Sequence, residues 1–302
     1  MQLRSSNCGL KLGPSHAAFV DVSRTWWGRS CRRQRQVSLP PGLIRPSPVE
    51  PNIADEEALE TQLRRLVGNS QKKSLGRRPT VLVLPDLCVR TALISLDVIP
   101  SRALELETLL RWRLEREAFF PMTGTRLTWQ VLDPRTVLTV AIRETVIKQY
   151  EEVCEAVGLL PVEVDTATFR LCNLFSNLLP AAEPMAWLSL LDDGFTLIIF
   201  RAGRPALVRT KARTYADPEG LFQDIANSLT LLGEGHTQSA PRRLILFAEE
   251  PGSELIQRLS TELGLEVIQP GWSEIKHAGW APSDSPHQVS SLAAVAGLLG
   301  AA

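Results

Sequence analysis

The feature of this sequence that most constrains its fold is an order of predicted elements that occurs twice. Each half opens with short strands joined by tight turns and continues with alternating helices and strands. The first half opens with a strand, a turn and a strand over 9–23, and the second half opens with three strands over 187–209. Short strands with tight turns predict antiparallel pairing, whereas alternation with helices predicts parallel strands. We therefore predict an α/β chain with two similar lobes.

The composition is that of a globular protein with no strong charge bias. The chain has 302 residues, of which 44% are hydrophobic and 22% are charged, so it can bury a large core. Its 33 Lys and Arg residues balance 33 Asp and Glu residues, which gives no reason to expect nucleic acid as a partner. No apolar run approaches the roughly 20 residues of a membrane span, and the N-terminus lacks the apolar core of a signal peptide. The five scattered cysteines, without metal-ligand spacing, fit a reducing cytosol.

Local signals place the ends of two helices. Asp55 precedes Glu56, Glu57 and an amphipathic stretch that runs to about Val67, which predicts an N-cap followed by a helix. Gly158 follows a second amphipathic stretch, and a glycine at this position predicts the C-terminal end of a helix.

A third unit interrupts the first half. The pattern over 86–142 is strand, helix, strand, strand, which predicts an inserted α+β subdomain. One face of its helix is apolar and is built by residues at a spacing of four: Leu106, Leu110, Leu114 and Ala118. This spacing favours a packed core over a cofactor site. The predicted first lobe is then formed by 1–85 and 143–180, and the second lobe, after a Pro-rich linker, by 185–302.

Six segments together have an order and spacing that is more specific than any one of them. They are Val81-Leu-Val-Leu-Pro85, Arg116-Glu-Ala-Phe-Phe-Pro121, Trp129-Gln-Val-Leu132, Val137-Leu-Thr-Val-Ala-Ile142, Val153-Cys-Glu-Ala-Val-Gly-Leu-Leu-Pro161 and Leu292-Ala-Ala-Val-Ala-Gly-Leu298. In this order they resemble the type IV pilus assembly family PilM, which is related to the division protein FtsA. The resemblance covers nearly the whole chain.

This resemblance implies the two-lobed actin-like ATPase fold with an inserted α+β subdomain. It also implies a cytoplasmic scaffold, peripheral at the inner membrane, that binds the short cytoplasmic tail of a PilN-type membrane protein and can self-associate. The cytoplasmic part of the type II secretion protein GspL shares the fold and is the alternative family.

The resemblance further implies where a nucleotide would lie, which is between the lobes and against two hairpin turns. Backbone N–H groups of such turns bind phosphate oxygens, and a nearby Asp holds Mg²⁺. The family's first turn reads Asp-x-Gly, whereas this chain has Lys11-Leu-Gly13-Pro-Ser15, so that a cation replaces the carboxylate. The second turn keeps the Asp-x-Gly pattern in Asp192-Asp-Gly194, followed by Phe195-Thr196.

The third nucleotide motif also departs from the family. A Gly-Gly turn is expected at the adenosine after the strand 244–247, but the sequence at 248–253 is Ala-Glu-Glu-Pro-Gly-Ser. We therefore predict a degenerate cleft that binds ATP weakly or not at all, with no catalytic residue and no metal ligand. The candidate remnants of the phosphate turns are Gly13, Ser15, Asp192, Gly194 and Thr196. The alternative hypothesis is an ATP-binding switch or ATPase that uses the same residues.

A cluster of arginines follows the first predicted hairpin. Its members, around Trp26 and Trp27, are Arg24, Arg29, Arg32, Arg33 and Arg35. A solvated hairpin tip is the favoured interpretation. The alternative is an anchor for anionic lipid headgroups, where each basic residue would contribute roughly 1 kcal/mol.

Overall fold

The structure, a computed structural model, describes ten ranges of the chain. These are 6–25, 28–68, 77–118, 120–179, 182–192, 194–212, 217–230, 240–248, 252–270 and 289–299. The described residues form two five-stranded sheets, one three-stranded sheet and seven α-helices. No helix among these ranges is both long enough and apolar enough to cross a membrane.

The first sheet contains three antiparallel strands followed by two parallel ones. Its strands, in spatial order, are β3 (Gly28–Ser38), β2 (His16–Thr25), β1 (Cys8–Leu12), β4 (Arg78–Leu84) and β8 (Leu159–Thr166). β2 pairs antiparallel with both β1 and β3, whereas β4 lies parallel to β1 and to β8. The predicted opening hairpin is therefore confirmed, and β3 extends it to a three-stranded meander.

The second sheet repeats this arrangement. Its strands, in spatial order, are β11 (Arg204–Ala212), β10 (Gly194–Arg201), β9 (Met185–Leu191), β12 (Arg243–Ala248) and β13 (Glu266–Ile268). The first three are antiparallel, and β12 lies parallel to β9 and to β13. The prediction of two similar α/β lobes is confirmed, since both sheets combine a meander with two parallel strands.

Helices cover both faces of the two sheets. The helices α1 (Glu56–Val67) and α3 (Glu144–Ala156) share a core with one face of the first sheet. α5 (Pro218–Thr230) and α6 (Ser253–Thr261) share another with the second sheet. The predicted N-cap is confirmed, because the Asp55 carboxylate accepts the backbone N–H of Ala58 at 2.9 Å. Gly158 follows α3 at φ +84°, a conformation that glycine adopts without strain.

The inserted subdomain is a small α+β unit with its own core. It contains β5 (Arg90–Ser95), α2 (Ala103–Glu117), β6 (Thr125–Val131) and β7 (Thr136–Arg143), with the antiparallel strand order β5-β7-β6. The predicted apolar stripe of α2 lies in this core. Leu110 and Leu114 are fully buried, Leu106 is almost fully buried, and Ala118 packs at the margin. The stripe is therefore a structural feature of the subdomain.

The two lobes are joined by a shared apolar core. α4 (Ala167–Leu174) and α7 (Val289–Leu299) contribute to one cluster with inward-facing residues of both sheets. In this cluster the rings of Trp187 and Phe247 stack with centroids 4.8 Å apart, and Phe175 lies 5.0 Å from Phe247. The lobes are thus connected by packed apolar residues as well as by the chain.

α7 comes last in the chain, and the predicted range 185–302 places it in the second lobe. In the structure α7 contacts β1, β2, β4 and α4, all of which belong to the first lobe. Small residues permit this close packing. A Cβ on Gly9 would lie 2.4 Å from the carbonyl oxygen of Ala294, and one on Gly297 would lie 2.9 Å from Cγ1 of Val81.

Candidate functional site

The site lies where the turns after β1 and β9 meet, at the boundary between the lobes. The first turn contains Gly13, whose N–H donates to the carbonyl of His16 at 2.9 Å. The second turn begins at Asp192, which has φ +55° in the left-handed region that Asp tolerates better than most residues. A Cβ on Gly13 would lie only 2.3 Å from Oδ1 of Asp192, so the two turns are in contact.

A buried ion pair connects these two turns. Nζ of Lys11 donates to Oδ1 of Asp192 at 2.8 Å, although the two residues are 181 positions apart in the chain. Their side chains are 1% and 5% exposed. Removing two charges from water is costly, and close pairing with hydrogen bonding offsets that cost. The pair therefore joins a strand of the first lobe to a turn of the second.

A second polar contact joins the lobes close to the first. The Asp86 carboxylate, just after β4, accepts the hydroxyl of Thr196 in β10 at 2.9 Å. It also accepts the backbone N–H of Thr168 at 3.0 Å and the Thr168 hydroxyl. The hydroxyl of Thr210 lies 3.0 Å from that of Thr196. Thr196, a candidate phosphate residue on sequence, thus binds a carboxylate of the opposite lobe.

The other candidate residues have different surroundings. A Cβ on Gly194 would lie 2.9 Å from the Lys211 carbonyl oxygen and 3.0 Å from Cδ1 of Leu87, so protein atoms pack closely against it. Ser15 is exposed, and its hydroxyl lies 3.0 Å from Nδ1 of His16. The structure therefore brings Gly13 and Asp192 together, whereas Ser15 lies at the solvent side of its turn.

Parts of the predicted nucleotide motifs lie outside the described residues. These are Asp193 in the second turn and Glu249, Glu250 and Pro251 at the predicted adenosine turn. Within the described ranges no group of three or more His, Cys, Asp or Glu side chains could hold a metal ion.

The described residues do not fit a magnesium-bound nucleotide at the place that the resemblance implies. Phosphate groups need free backbone N–H groups and space between the turns, and the metal needs carboxylate ligands. Here the Asp192 carboxylate packs against Gly13, so the carboxylate fills the space between the two turns. The side chain opposite it is the Lys11 ammonium, which is a cation and cannot bind a metal. The two turns contact each other where a nucleotide would separate them.

A buried polar group lies beside this site. The side-chain amide of Asn52 donates to Sγ of Cys88 and to the hydroxyl of Tyr150, both at 3.2 Å. Burial raises the pKa of the Cys88 thiol to about 12, and the nearby carboxylates of Asp192 and Asp86 contribute to the rise. Burial likewise raises the pKa of Tyr150 well above its usual value. Both groups are therefore uncharged at neutral pH.

Arg24 and Arg29 are paired beside the tip of the β2–β3 hairpin, whereas the later members of the arginine cluster lie further along β3 and not at a tip. Arg32, Arg33 and Arg35 belong to β3, which pairs with β2 along its length. Nη1 of Arg33 donates to the Val67 carbonyl at 3.1 Å, and Nη1 of Arg35 donates to the carbonyl of Arg65 at 3.3 Å. These carbonyls are at the C-terminal end of α1, where cations are favourable.

Exposure differs within the arginine cluster. Arg32 and Arg35 are exposed and Arg33 is half-buried, while the side chains of Arg24 and Arg29 lie outside the described residues. Two members of the cluster therefore cap a helix, and the lipid-anchor alternative stays a hypothesis.

Comparison with solved structures identifies the fold. A structure described as a PilM–PilN type IV pilus biogenesis complex matches with a TM-score of 0.78 at 21% identity, over 98% of this chain and 97% of that chain. The cytoplasmic domain of EpsL, an inner membrane component of the type II secretion system of Vibrio cholerae, matches with a TM-score of 0.53 at 12% identity. That match covers 95% of this chain and 94% of the other.

A third matching structure is described as having the actin-like ATPase fold. It is a Bacteroides thetaiotaomicron protein of unknown function with the actin-like ATPase fold, with a TM-score of 0.52 and 13% identity over 89% of this chain and 93% of that chain. No family model and no curated protein matches the sequence. The chain therefore has the actin-like ATPase fold, as the sequence resemblance implies.

Proposed function

We propose that this chain is a divergent member of the PilM family and acts as a scaffold in the assembly platform of a type IV pilus or a related secretion system. The observation that carries the proposal is the match to the PilM–PilN complex over almost the full length of both chains, with a TM-score of 0.78. Two other proteins with this fold match with TM-scores of only 0.53 and 0.52. The difference favours a PilM-type protein over a GspL-type component.

The proposed partner is the cytoplasmic tail of a PilN-type inner-membrane protein, which would hold the chain at the cytoplasmic face of that membrane. A partner requires exposed apolar surface. Among the described residues, six large apolar side chains are exposed, and four of them belong to the inserted subdomain: Val98, Leu104, Trp112 and Val131. The inserted subdomain is therefore the part of the molecule that we propose contacts the tail.

The surroundings of Trp112 support a role in binding. Trp112 is 48% exposed on α2, and the guanidinium groups of Arg113 and Arg116 lie 5.6 and 5.2 Å from the centroid of its ring. Leu104, eight residues earlier on α2, is 76% exposed. Exposed Trp and Arg side chains are the types that contribute most at protein interfaces.

We further propose that the cleft is degenerate and that the chain is not an ATPase. The contact between the first and second turns supports this, because it leaves the Lys11 ammonium rather than a carboxylate facing Asp192. Hydrolysis in this fold needs a metal ion to stabilise the charge that develops on the phosphate. The geometry disfavours the alternative of an ATP-binding switch.

Capture of the partner from membranes tests the proposed function. Tagged protein would be incubated with detergent-solubilised membranes of the source cells, and the single-span proteins retained would be identified by mass spectrometry. The expected result is a small membrane protein with a short cytoplasmic tail. Retention of soluble proteins alone would contradict the scaffold proposal.

Variants of the inserted subdomain test the proposed contact surface. Replacing Leu104 and Trp112 together by Ser should weaken retention of the partner about tenfold or more, since interface anchors of this kind each contribute more than about 1 kcal/mol. Val162→Ser is the matched control, because Val162 is 36% exposed but lies in β8. If the double variant retains the partner as well as this control does, the proposed surface is wrong.

A further inference from the structure

The first turn carries a positive charge on Lys11. The family that this sequence resembles has Asp-x-Gly at both turns, and two carboxylates that face each other repel unless a cation lies between them. This chain has Lys11 on β1 and Asp192 after β9, so the cation is part of the protein. We propose that the Lys11 ammonium is a built-in replacement for a metal-bound nucleotide, and that it holds the two lobes closed without any ligand. This inference rests on the proposed degenerate cleft, which involves the same two turns, and it is independent of the proposed tail contact.

The local geometry is matched to the ion pair on both sides. Lys11 lies within a strand whose backbone pairs with β2 and β4, so the position of its Cα is fixed. Gly13 is needed beside the pair, since a Cβ there would lie 2.3 Å from Oδ1 of Asp192 and 3.2 Å from Nζ of Lys11. Three residues on two lobes therefore fit one another at van der Waals distance. A lysine without a role at this site would not need to fit against Gly13 and Asp192, and its side chain could extend into solvent.

Burial distinguishes this pair from the ion pair between Lys148 and Glu144 on α3. The side chains of Lys11 and Asp192 are 1% and 5% exposed, whereas Lys148, which pairs with Glu144 at 3.7 Å, is 56% exposed. A buried charge that loses its partner is strongly destabilising, whereas an exposed one is not. Opening the lobes at the turns would separate the buried charges, so the pair opposes opening.

The Asp86–Thr196 hydrogen bond supports the same conclusion from other residues. It joins β10 of the second lobe to the end of β4 at 2.9 Å, and Thr196 is only 3% exposed. Because this contact does not involve Lys11, it remains when the ion pair is removed. Among the described residues the lobes are thus joined by both of these polar contacts as well as by the apolar core around α4 and α7.

A double-mutant cycle tests the proposal. The variants are Lys11→Met, which removes the charge and keeps most of the length of the side chain, and Asp192→Asn, which keeps a residue that tolerates positive φ. Each single variant should lower the thermal unfolding midpoint by roughly 5–15 °C, because it leaves one buried charge without its partner. The double variant should lower it by clearly less than the sum. If the loss in the double variant equals the sum of the two single losses, the two residues are not coupled and the proposal is overturned.

A matched control and a charge exchange complete the cycle. Lys148→Met removes an exposed lysine from a pair of the same type and should leave the midpoint within about 2 °C of the wild type. The exchange of Lys11→Asp combined with Asp192→Lys should recover part of the stability that Lys11→Asp alone loses. If Lys11→Asp does not fold, recovery by the exchange still tests the pairing, and an exchange no better folded than the single variant would count against it.

The same variants test whether Lys11 takes the place of a metal-bound nucleotide or only stabilises the fold. Lys11→Asp returns the first turn to the Asp-x-Gly pattern and places two carboxylates opposite each other. Its unfolding midpoint should rise by a few degrees when millimolar MnCl₂ or MgATP is added, while that of the wild type should not change. A rise for wild type with MgATP would overturn the proposal. Tail capture by the wild type is a separate readout, so failure of either idea can be recognised without the other.

Discussion

Replacing Gly9 by Ala tests the packing that brings the last helix onto the first sheet. Gly9 lies in β1, and a Cβ at this position would lie 2.4 Å from the carbonyl oxygen and 3.2 Å from the carbonyl carbon of Ala294 in α7. Ordinary contacts begin near 3.4 Å, so β1 and α7 would have to separate by about 1 Å. The added Cβ would clash with backbone atoms of Ala294, which cannot rotate away as a side chain can. Overpacking of this kind in a core costs about 1–3 kcal/mol. We therefore expect Gly9→Ala to lower the free energy of unfolding by about 1–3 kcal/mol.

Chemical denaturation monitored by tryptophan fluorescence is the appropriate assay, because Trp187 is fully buried in the same apolar cluster as Ala294. Gly252→Ala is the matched control, since a Cβ there would meet nothing within 4 Å. Because Gly252 is the N-cap residue of α6, this change should lower the free energy of unfolding by no more than about 1 kcal/mol. If Gly9→Ala were as stable as this control, α7 would not lie against β1, and the assignment of the last helix to the first lobe would be refuted.

Three further predictions follow from burial and hydrogen bonding. At pH 8 a thiol reagent should react readily with Cys31, which is half-buried, and slowly with the four buried thiols of the native protein, whose pKa values burial raises: Cys8, Cys88, Cys154 and Cys172. Equal reaction of all five thiols before unfolding would contradict the described core. Trp187→Ala should destabilise the protein by about 3–5 kcal/mol in urea titrations, because it removes a buried ring stacked on Phe247 and the bond from its Nε1 to Ser189 at 2.9 Å. Asp55→Ala should cost about 1 kcal/mol through loss of the N-cap of α1, and an unchanged denaturation midpoint would exclude the cap as a stabilising contact.

Features that depend on local sequence could be predicted well. Asp55 caps α1 because its side chain reaches a backbone N–H three residues on, which the sequence pattern states directly. The stripe of α2 is buried because its spacing matches the helical period. The strand β3 was missed, since its run of arginines gives no alternation of apolar residues. It forms because β2 offers a free edge, and because Arg33 and Arg35 reach the end of α1.

The contacts at the site could not be predicted, because they join residues that are far apart in the chain. The sequence shows that Lys11 replaces a carboxylate and that Asp192 is kept, but their 2.8 Å contact depends on how the two lobes close. Asp86 was not among the candidate site residues, although its position after a buried parallel strand is a signal for one. Its contact with Thr196, 110 positions away, cannot be inferred from spacing. The position of α7 was also missed, because the chain order gives no indication that the last helix returns to the first sheet.

Isothermal titration calorimetry of the nucleotide-free protein with the cytoplasmic tail of a PilN-type protein from the same cells tests the central claim most directly. The scaffold account predicts binding of one tail per chain with the same affinity in the absence and presence of millimolar MgATP, because the lobes are already held by Lys11 and Asp192. Absence of binding under both conditions would contradict the scaffold function. Binding that required MgATP would contradict the claim that this chain works without a nucleotide.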